Sequence, residues 1–196
     1  MNTTEAYWTN RYVNQQTGWD MGHVSPPIKE YFDQVKDKDL RILIPGAGNS
    51  YEAEYLFQKG FHNTHIIDIA QPPLANFQAR VPNFPKEQII HDDFFQHRGT
   101  YDILVEQTFF CAIDYDPTTR QAYASQVAAL LKPGGKLVGL WFKHPLTENA
   151  SRPFGGSKAE YLGYFQEQFE MRYFEDCHNS IKPRLGNEYF GLFLRK

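Results

Sequence analysis

The chain has 196 residues, 20 basic against 23 acidic side chains and a net charge of −3, which fits one domain and leaves no cationic surplus for gripping nucleic acid. Hydrophobic residues make up 41 % and glycine 14 positions, an apolar share that disordered and fibrous chains lack. The longest apolar run, residues 137–142, is far short of the roughly 20 residues that cross a bilayer, so no membrane partner is expected.

The polar start, residues 1–8, lacks the basic, apolar and small-residue order of a secretory signal and points to the cytoplasm. Its aromatics, Tyr7, Trp8, Tyr12, Trp19, Tyr31 and Phe32, precede any strand and suit a cap over a pocket. Residues 1–36 are therefore expected to form a cap and helix, and residues 40–196 an α/β sheet. A first strand over 41–44 runs into Pro45-Gly46-Ala47-Gly48-Asn49-Ser50, and a helix over 51–59 stops at Gly60. A second strand over 65–69 ends beside Asp68, and Pro72-Pro73 opens a helix to Arg80. Further strands are predicted over 88–90, 101–106 and 136–142, with a helix over 118–131 between the last two. A helix over 157–168 precedes strands over 170–178 and 188–195. The connection between these last two is too short for a parallel crossover, so they form an antiparallel hairpin at the sheet edge. The pattern is a mainly parallel, doubly wound sheet with helices on both faces.

Chemistry gathers at the strand ends. Glycines 46 and 48 after a strand allow a tight turn and close ligand approach at a helix N-terminus. The dinucleotide fingerprint needs a small residue where Tyr51 stands, and no lysine follows in the triphosphate-binding order, so both nucleotide types are disfavoured. Asp68 is placed to accept ribose hydroxyls. Asp93 beside Phe94 and Phe95 suits an adenine amine and its ring, with a helix cap as the plainer alternative for that carboxylate. The stretch Glu106-Gln107-Thr108-Phe109-Phe110-Cys111-Ala112 lies at the fourth strand end. Cys111 and Cys177 read as free thiols, with Cys111 an inert buried one. No histidine spacing supports a metal site.

Taken together these segments resemble the class I S-adenosylmethionine-dependent methyltransferases, and within them the thiopurine S-methyltransferase family with its thiol and halide methyltransferase branch. The marks are Tyr7-Trp8, Thr17-Gly18-Trp19-Asp20 with Pro26, Ile44-Pro45-Gly46-Ala47-Gly48, Asp68, Asp93-Phe94-Phe95, Thr108-Phe109-Phe110-Cys111-Ala112, Leu131-Lys132-Pro133-Gly134-Gly135 and Arg152-Pro153-Phe154. The similarity is read from residue 7 to residue 154 and fades beyond.

The resemblance implies S-adenosyl-L-methionine as cofactor, with Trp8 and Tyr12 beside its methionine end, Gly46 and Gly48 beneath it, Asp68 on the ribose, Asp93 and Phe94 on the adenine, and Gln107 near the amino acid moiety. Trp19, Phe109, Phe110, Pro153 and Phe154 would line the acceptor pocket, whose edge would run over residues 146–157. Glu106 stands where relatives often carry Asp. A small soft acceptor (thiol, thiopurine-like sulfur, halide or thiocyanate) needs no dedicated base, whereas an amine or alcohol would call on one such as Glu106 or His23; no catalytic side chain is assigned. The alternatives are a non-catalytic adenosyl-ligand-binding protein and a nicotinamide-dependent oxidoreductase on a similar sheet. The oligomeric state is left open.

Overall fold

The computed structural model describes residues 4–144 and 152–196. Of the expected pocket edge over 146–157, residues 146–151 lie outside the described residues. Seven strands, β1 (Ile42–Pro45), β2 (Thr64–Asp68), β3 (Ile89–His91), β4 (Tyr101–Gln107), β5 (Leu131–Phe142), β6 (Phe169–Asp176) and β7 (Glu188–Arg195), form one sheet in the order β3-β2-β1-β4-β5-β7-β6. The first five pair in parallel, and β7 runs antiparallel between β5 and β6. The expected hairpin is present, with β6 outermost and β7 also closing onto β5.

Alternation along the buried strands sends neighbouring side chains to opposite faces. Leu43, Ile67 and Leu104 pack with Tyr123 and Val127 of α5 (Pro117–Leu130) and with Tyr161 and Phe165 of α6 (Lys158–Phe165). Ile42, Ile44, Ile66 and Ile103 face the other way, onto α2 (Pro26–Asp33), α3 (Tyr51–Gln58) and α4 (Gln71–Arg80). Each helix starts where its sequence permits. Proline occupies the first turn of α2, α4 and α5. Asp116 caps α5 by accepting from the Thr119 amide at 3.0 Å, and Ser157 with Glu160 forms a capping box on α6.

The amino-terminal helix α1 (Glu5–Val13) differs from the others in having no buried residue. It is held by aromatic edges, as described below. Strand β5 starts at Leu131 rather than at 136, because Leu131 already pairs with Tyr101 before the register slips. The strand thus runs through Lys132-Pro133-Gly134-Gly135, which the sequence reads as a turn.

The switch in winding falls between β1 and β4, the adjacent strands from which order runs outward in both directions. At such a point the loops after the two strands diverge and leave a crevice at the carboxyl edge of the sheet.

Candidate active site

A cavity of about 530 Å³ occupies that crevice. Its floor is the turn after β1. Gly46 and Gly48 both have positive φ, +56° and +52°, and both are overlain: a Cβ on Gly46 would stand 2.3 Å from Phe109 Cδ2, and one on Gly48 would stand 2.7 Å from the Tyr12 hydroxyl. The missing side chains therefore let a wall residue and a cap residue close on the turn.

Asp68 ends β2 and joins this floor. Its Oδ2 accepts from the Gly48 amide and its Oδ1 from the Ala70 amide, each at 2.8 Å. Burial raises its pKa above the usual carboxylate range, opposed by those two amides. Asp92 and Asp93 follow β3 and line the cavity. Asp93 Oδ1 accepts from the Phe95 amide at 3.0 Å and so caps a turn; no helix follows it before β4, and the helix-cap alternative does not hold. Phe94 reaches the cavity from the hydrophobic core, with Phe109 at 5.2 Å and Tyr123 at 5.6 Å between ring centroids.

The turn after β4 makes the third wall. Thr108 takes φ +58°, a left-handed conformation uncommon outside glycine. Glu106 holds it there: its Oε1 accepts from the Phe109 and Phe110 amides, each at 2.8 Å, and Oε2 accepts the Tyr123 hydroxyl. Burial pushes the Glu106 carboxyl up to about 7 and raises Tyr123 as well. Glu106 is absent from the cavity lining and both its oxygens are engaged, so it is not placed to act as a base. Gln107 does line the cavity, and its buried Oε1 has no hydrogen-bond partner among the described residues. Cys111 is buried, donates to the Thr108 carbonyl at 3.3 Å and has its pKa raised by burial, consistent with an inert thiol.

The roof comes from α1 and the loop behind it. Trp19 receives the edges of Trp8 at 5.6 Å and Tyr12 at 5.8 Å, and the Arg11 guanidinium sits 5.4 Å from its ring. Arg184, from the connection between β6 and β7, donates to the Trp19 carbonyl at 2.7 Å and pairs with buried Glu188 at 3.6 Å. Arg152 lies 5.4 Å from the Tyr7 ring and 5.7 Å from the Trp8 ring, donates to the Ala112 carbonyl at 2.6 Å and pairs with Asp114 at 2.8 Å. Arg11, Arg152 and Arg184 thus all line the cavity and all touch the tryptophan pair.

Of the residues singled out in the sequence, Trp8, Tyr12, Trp19, Gly46, Gly48, Asp68, Asp93, Phe94, Gln107, Phe109 and Pro153 meet on this one cavity. Phe110 and Phe154 do not. Phe110 turns into the core against Tyr123 at 4.9 Å, and Phe154 is fully buried against Tyr115 at 4.9 Å, its amide donating to the Cys111 carbonyl at 2.8 Å. Phe110 stands behind the wall because the left-handed step at Thr108 turns Phe109 outward and Phe110 inward, and Phe154 because it packs inward from its own loop against Tyr115. Sequence reasoning passed over Arg11, Arg184 and Glu52; the last is buried, lines the cavity and accepts from the Ser25 amide at 2.9 Å. None of the three belongs to a recognisable motif, and Arg11 and Glu52 are overshadowed by the aromatic residues and glycines beside them.

The floor and Gln107 fit the donor. A turn stripped of side chains beside a buried carboxylate suits an adenosyl group, and an orphaned amide oxygen on the wall made by β4 suits an ammonium.

Comparison with known proteins agrees. The chain is 28 % identical over 196 residues to a probable thiol methyltransferase 2 of Arabidopsis thaliana, covering 94 % of this chain and 82 % of that protein. It is 29 % identical over 159 residues to thiocyanate methyltransferase 1 of the same plant, covering 76 % and 66 %. Among solved structures, magnesium protoporphyrin IX methyltransferase from Synechocystis PCC 6803, with bound S-adenosylhomocysteine, superposes with a TM-score of 0.76 at 14 % identity, covering 98 % of this chain and 97 % of that one, a likeness of fold. The thiopurine S-methyltransferase family model matches residues 3–195, so the similarity read as far as residue 154 continues through the terminal hairpin. The chain belongs to the thiopurine S-methyltransferase family and is an S-adenosyl-L-methionine-dependent methyltransferase.

Proposed function

We propose that the protein methylates a small soft nucleophile, a thiolate, thiocyanate or halide, held at the arginine-bearing end of the cavity. The carrying observation is the clustering of Arg11, Arg152 and Arg184 around Trp8 and Trp19 while Glu106, the acid at the end of β4, is sealed behind the wall. Arg152 is paired with Asp114 and Arg184 with Glu188, so what favours an anion is the guanidinium hydrogen-bonding capacity that Arg11 and Arg184 retain, and an anion needs no deprotonation. A thiol with an ordinary pKa near roughly 8.5 is already partly ionised at neutral pH, so a base adds little. The names of the two plant relatives support the same acceptor class.

In this reading Gly46 and Gly48 underlie the donor, Asp68 takes its ribose hydroxyls, Asp93 and Phe94 its adenine, and Gln107 its ammonium. When bound, S-adenosyl-L-methionine supplies a methyl group whose bond to the sulfonium sulfur breaks as its bond to the acceptor forms, leaving a neutral thioether. The chain's part is to align the two reactants and exclude water. Such positioning contributes on the order of 7 to 11 kcal/mol in favourable cases. Trp8 and Tyr12 roof the donor's methionine end, where ring faces attract a cation by roughly 0.5 to 2 kcal/mol per contact. Trp19, Phe109 and Pro153 bound the acceptor. The free thiols Cys111 and Cys177 support a reducing compartment, the cytoplasm, as the protein's location.

The test is incubation with methyl-labelled donor and a panel of thiols, iodide, thiocyanate and amines. Label is expected in the sulfur and halide products. Methylation confined to the amines overturns the acceptor class.

A further inference from the structure

Helix α5 lies outside the cavity except for Thr119, yet three of its side chains, spaced three residues apart, reach three different walls. Arg120 is fully buried and donates through Nη2 to the Gly155 carbonyl at 3.0 Å, beside the Pro153 wall. Tyr123 donates to Glu106, which holds the Phe109 and Phe110 amides. Gln126 donates through Nε2 to the Phe94 carbonyl at 2.8 Å and to the His97 carbonyl at 2.9 Å, pinning the turn after β3. Each bond is to a loop carbonyl or to a carboxylate that itself holds a loop. Polar groups buried under a site set its geometry because leaving them unpaired is costly.

We propose that α5 is a bracket fixing the relative placement of donor and acceptor, with Arg120, Tyr123 and Gln126 as positioning residues graded along the helix from the acceptor wall to the donor wall. The assignment rests on the site reading above, in which Phe94 flanks the donor and Pro153 the acceptor. Successive helix positions three apart fan around the axis by about 60° per step, which lets one helix address separate loops. The packing ties the same residues together. The Arg120 guanidinium lies 4.8 Å from the Phe110 ring, and that ring lies 4.9 Å from Tyr123, so the two acceptor walls meet against one helix face. Nε and Nη1 of Arg120 have no partner among the described residues. The side chain therefore contributes little net stability from hydrogen bonding, and the bond that Nη2 does make fixes the Gly155 carbonyl.

The experiment compares Arg120→Met, Tyr123→Phe and Gln126→Ala with the wild type. It measures S-adenosylhomocysteine Kd by calorimetry, the KM for thiocyanate and for thiophenol, and amide exchange at Phe109 and Phe110 by NMR. Gln126→Ala is expected to raise the Kd at least fivefold and leave the acceptor KM within twofold. Arg120→Met is expected to do the reverse, and Arg120→Lys, which can still reach the Gly155 carbonyl, to recover most of the loss. Tyr123→Phe is expected to raise the acceptor KM and to speed exchange of the two amides at least tenfold. Equal effects of Arg120→Met and Gln126→Ala on the Kd, or unaltered exchange in Tyr123→Phe, overturn the bracket. If the wild type turns over neither acceptor, the acceptor class fails, and the bracket is decided by the Kd contrast and the amide exchange alone.

Discussion

Asp68 Oδ2 accepts the Gly48 amide at 2.8 Å, so the end of β2 and the turn after β1 form one hydrogen-bonded unit. The carboxylate that would receive the ribose is also a support of the glycine turn. Asp68→Ala should therefore weaken S-adenosylhomocysteine binding at least tenfold, about the 1.4 kcal/mol that one lost charge-assisted hydrogen bond costs. Unchanged affinity by calorimetry removes Asp68 from the donor site.

Gly46→Ala meets two obstacles at once. The new methyl would stand 2.3 Å from Phe109 Cδ2, and the backbone would have to keep φ +56° with a side chain attached. Left-handed conformation alone costs roughly 1 to 2 kcal/mol. The variant should lose about 2 kcal/mol of stability or more in urea unfolding and most of its activity, since Phe109 must move. A stable variant with normal turnover contradicts the close approach.

Trp8 joins the molecule through ring edges and not through core burial, since no residue of α1 is buried. Such aromatic pairs contribute about 0.5 to 1.5 kcal/mol. Trp8→Ala is expected to shift the melting temperature by only a few degrees while raising the S-adenosylhomocysteine Kd several-fold and lowering turnover. If calorimetry and turnover ignore the substitution, α1 is not part of the donor's roof.

Glu106 carries a pH signature. Burial lifts its pKa from 4.5, the ordinary glutamate value, to about 7 in the folded chain. The folded state then holds a proton that the unfolded state has released between those values. Its stabilising effect is complete below about 4.5 and is lost as the pH rises through about 7. Glu106→Gln keeps the shape and lacks the titration. The variant should gain stability relative to the wild type from pH 5 to pH 8, by on the order of 3 kcal/mol at most in urea unfolding. A constant difference over that range means that Glu106 does not titrate there.

The strands were legible because a parallel sheet covered on both faces reads as continuous apolar runs, as Ile42-Leu43-Ile44 does. The early start of β5 was not, because Pro133 and two glycines look like a turn and only pairing with Tyr101 makes Leu131 a strand residue. In the candidate site, Gly46 and Gly48 were legible as a turn because positive φ after a strand favours glycine, and Asp68 was legible only as a carboxylate at a strand end. Phe110 lies on the inner side of the wall, because side-chain direction after β4 hangs on one left-handed residue, Thr108, that no local pattern announces; Phe154 lies there because it packs on Tyr115, a contact between separate loops. Arg184 was passed over for a related reason. It meets Trp19 across 165 positions of chain, and nothing near either residue marks the meeting.

That last contact has a consequence for how the protein is made. Trp19 is synthesised long before Arg184 and the strand that carries its partner Glu188. A chain whose synthesis has not yet reached Arg184 lacks the clasp on the roof, so competence to bind the donor should lag behind the pairing of the inner strands.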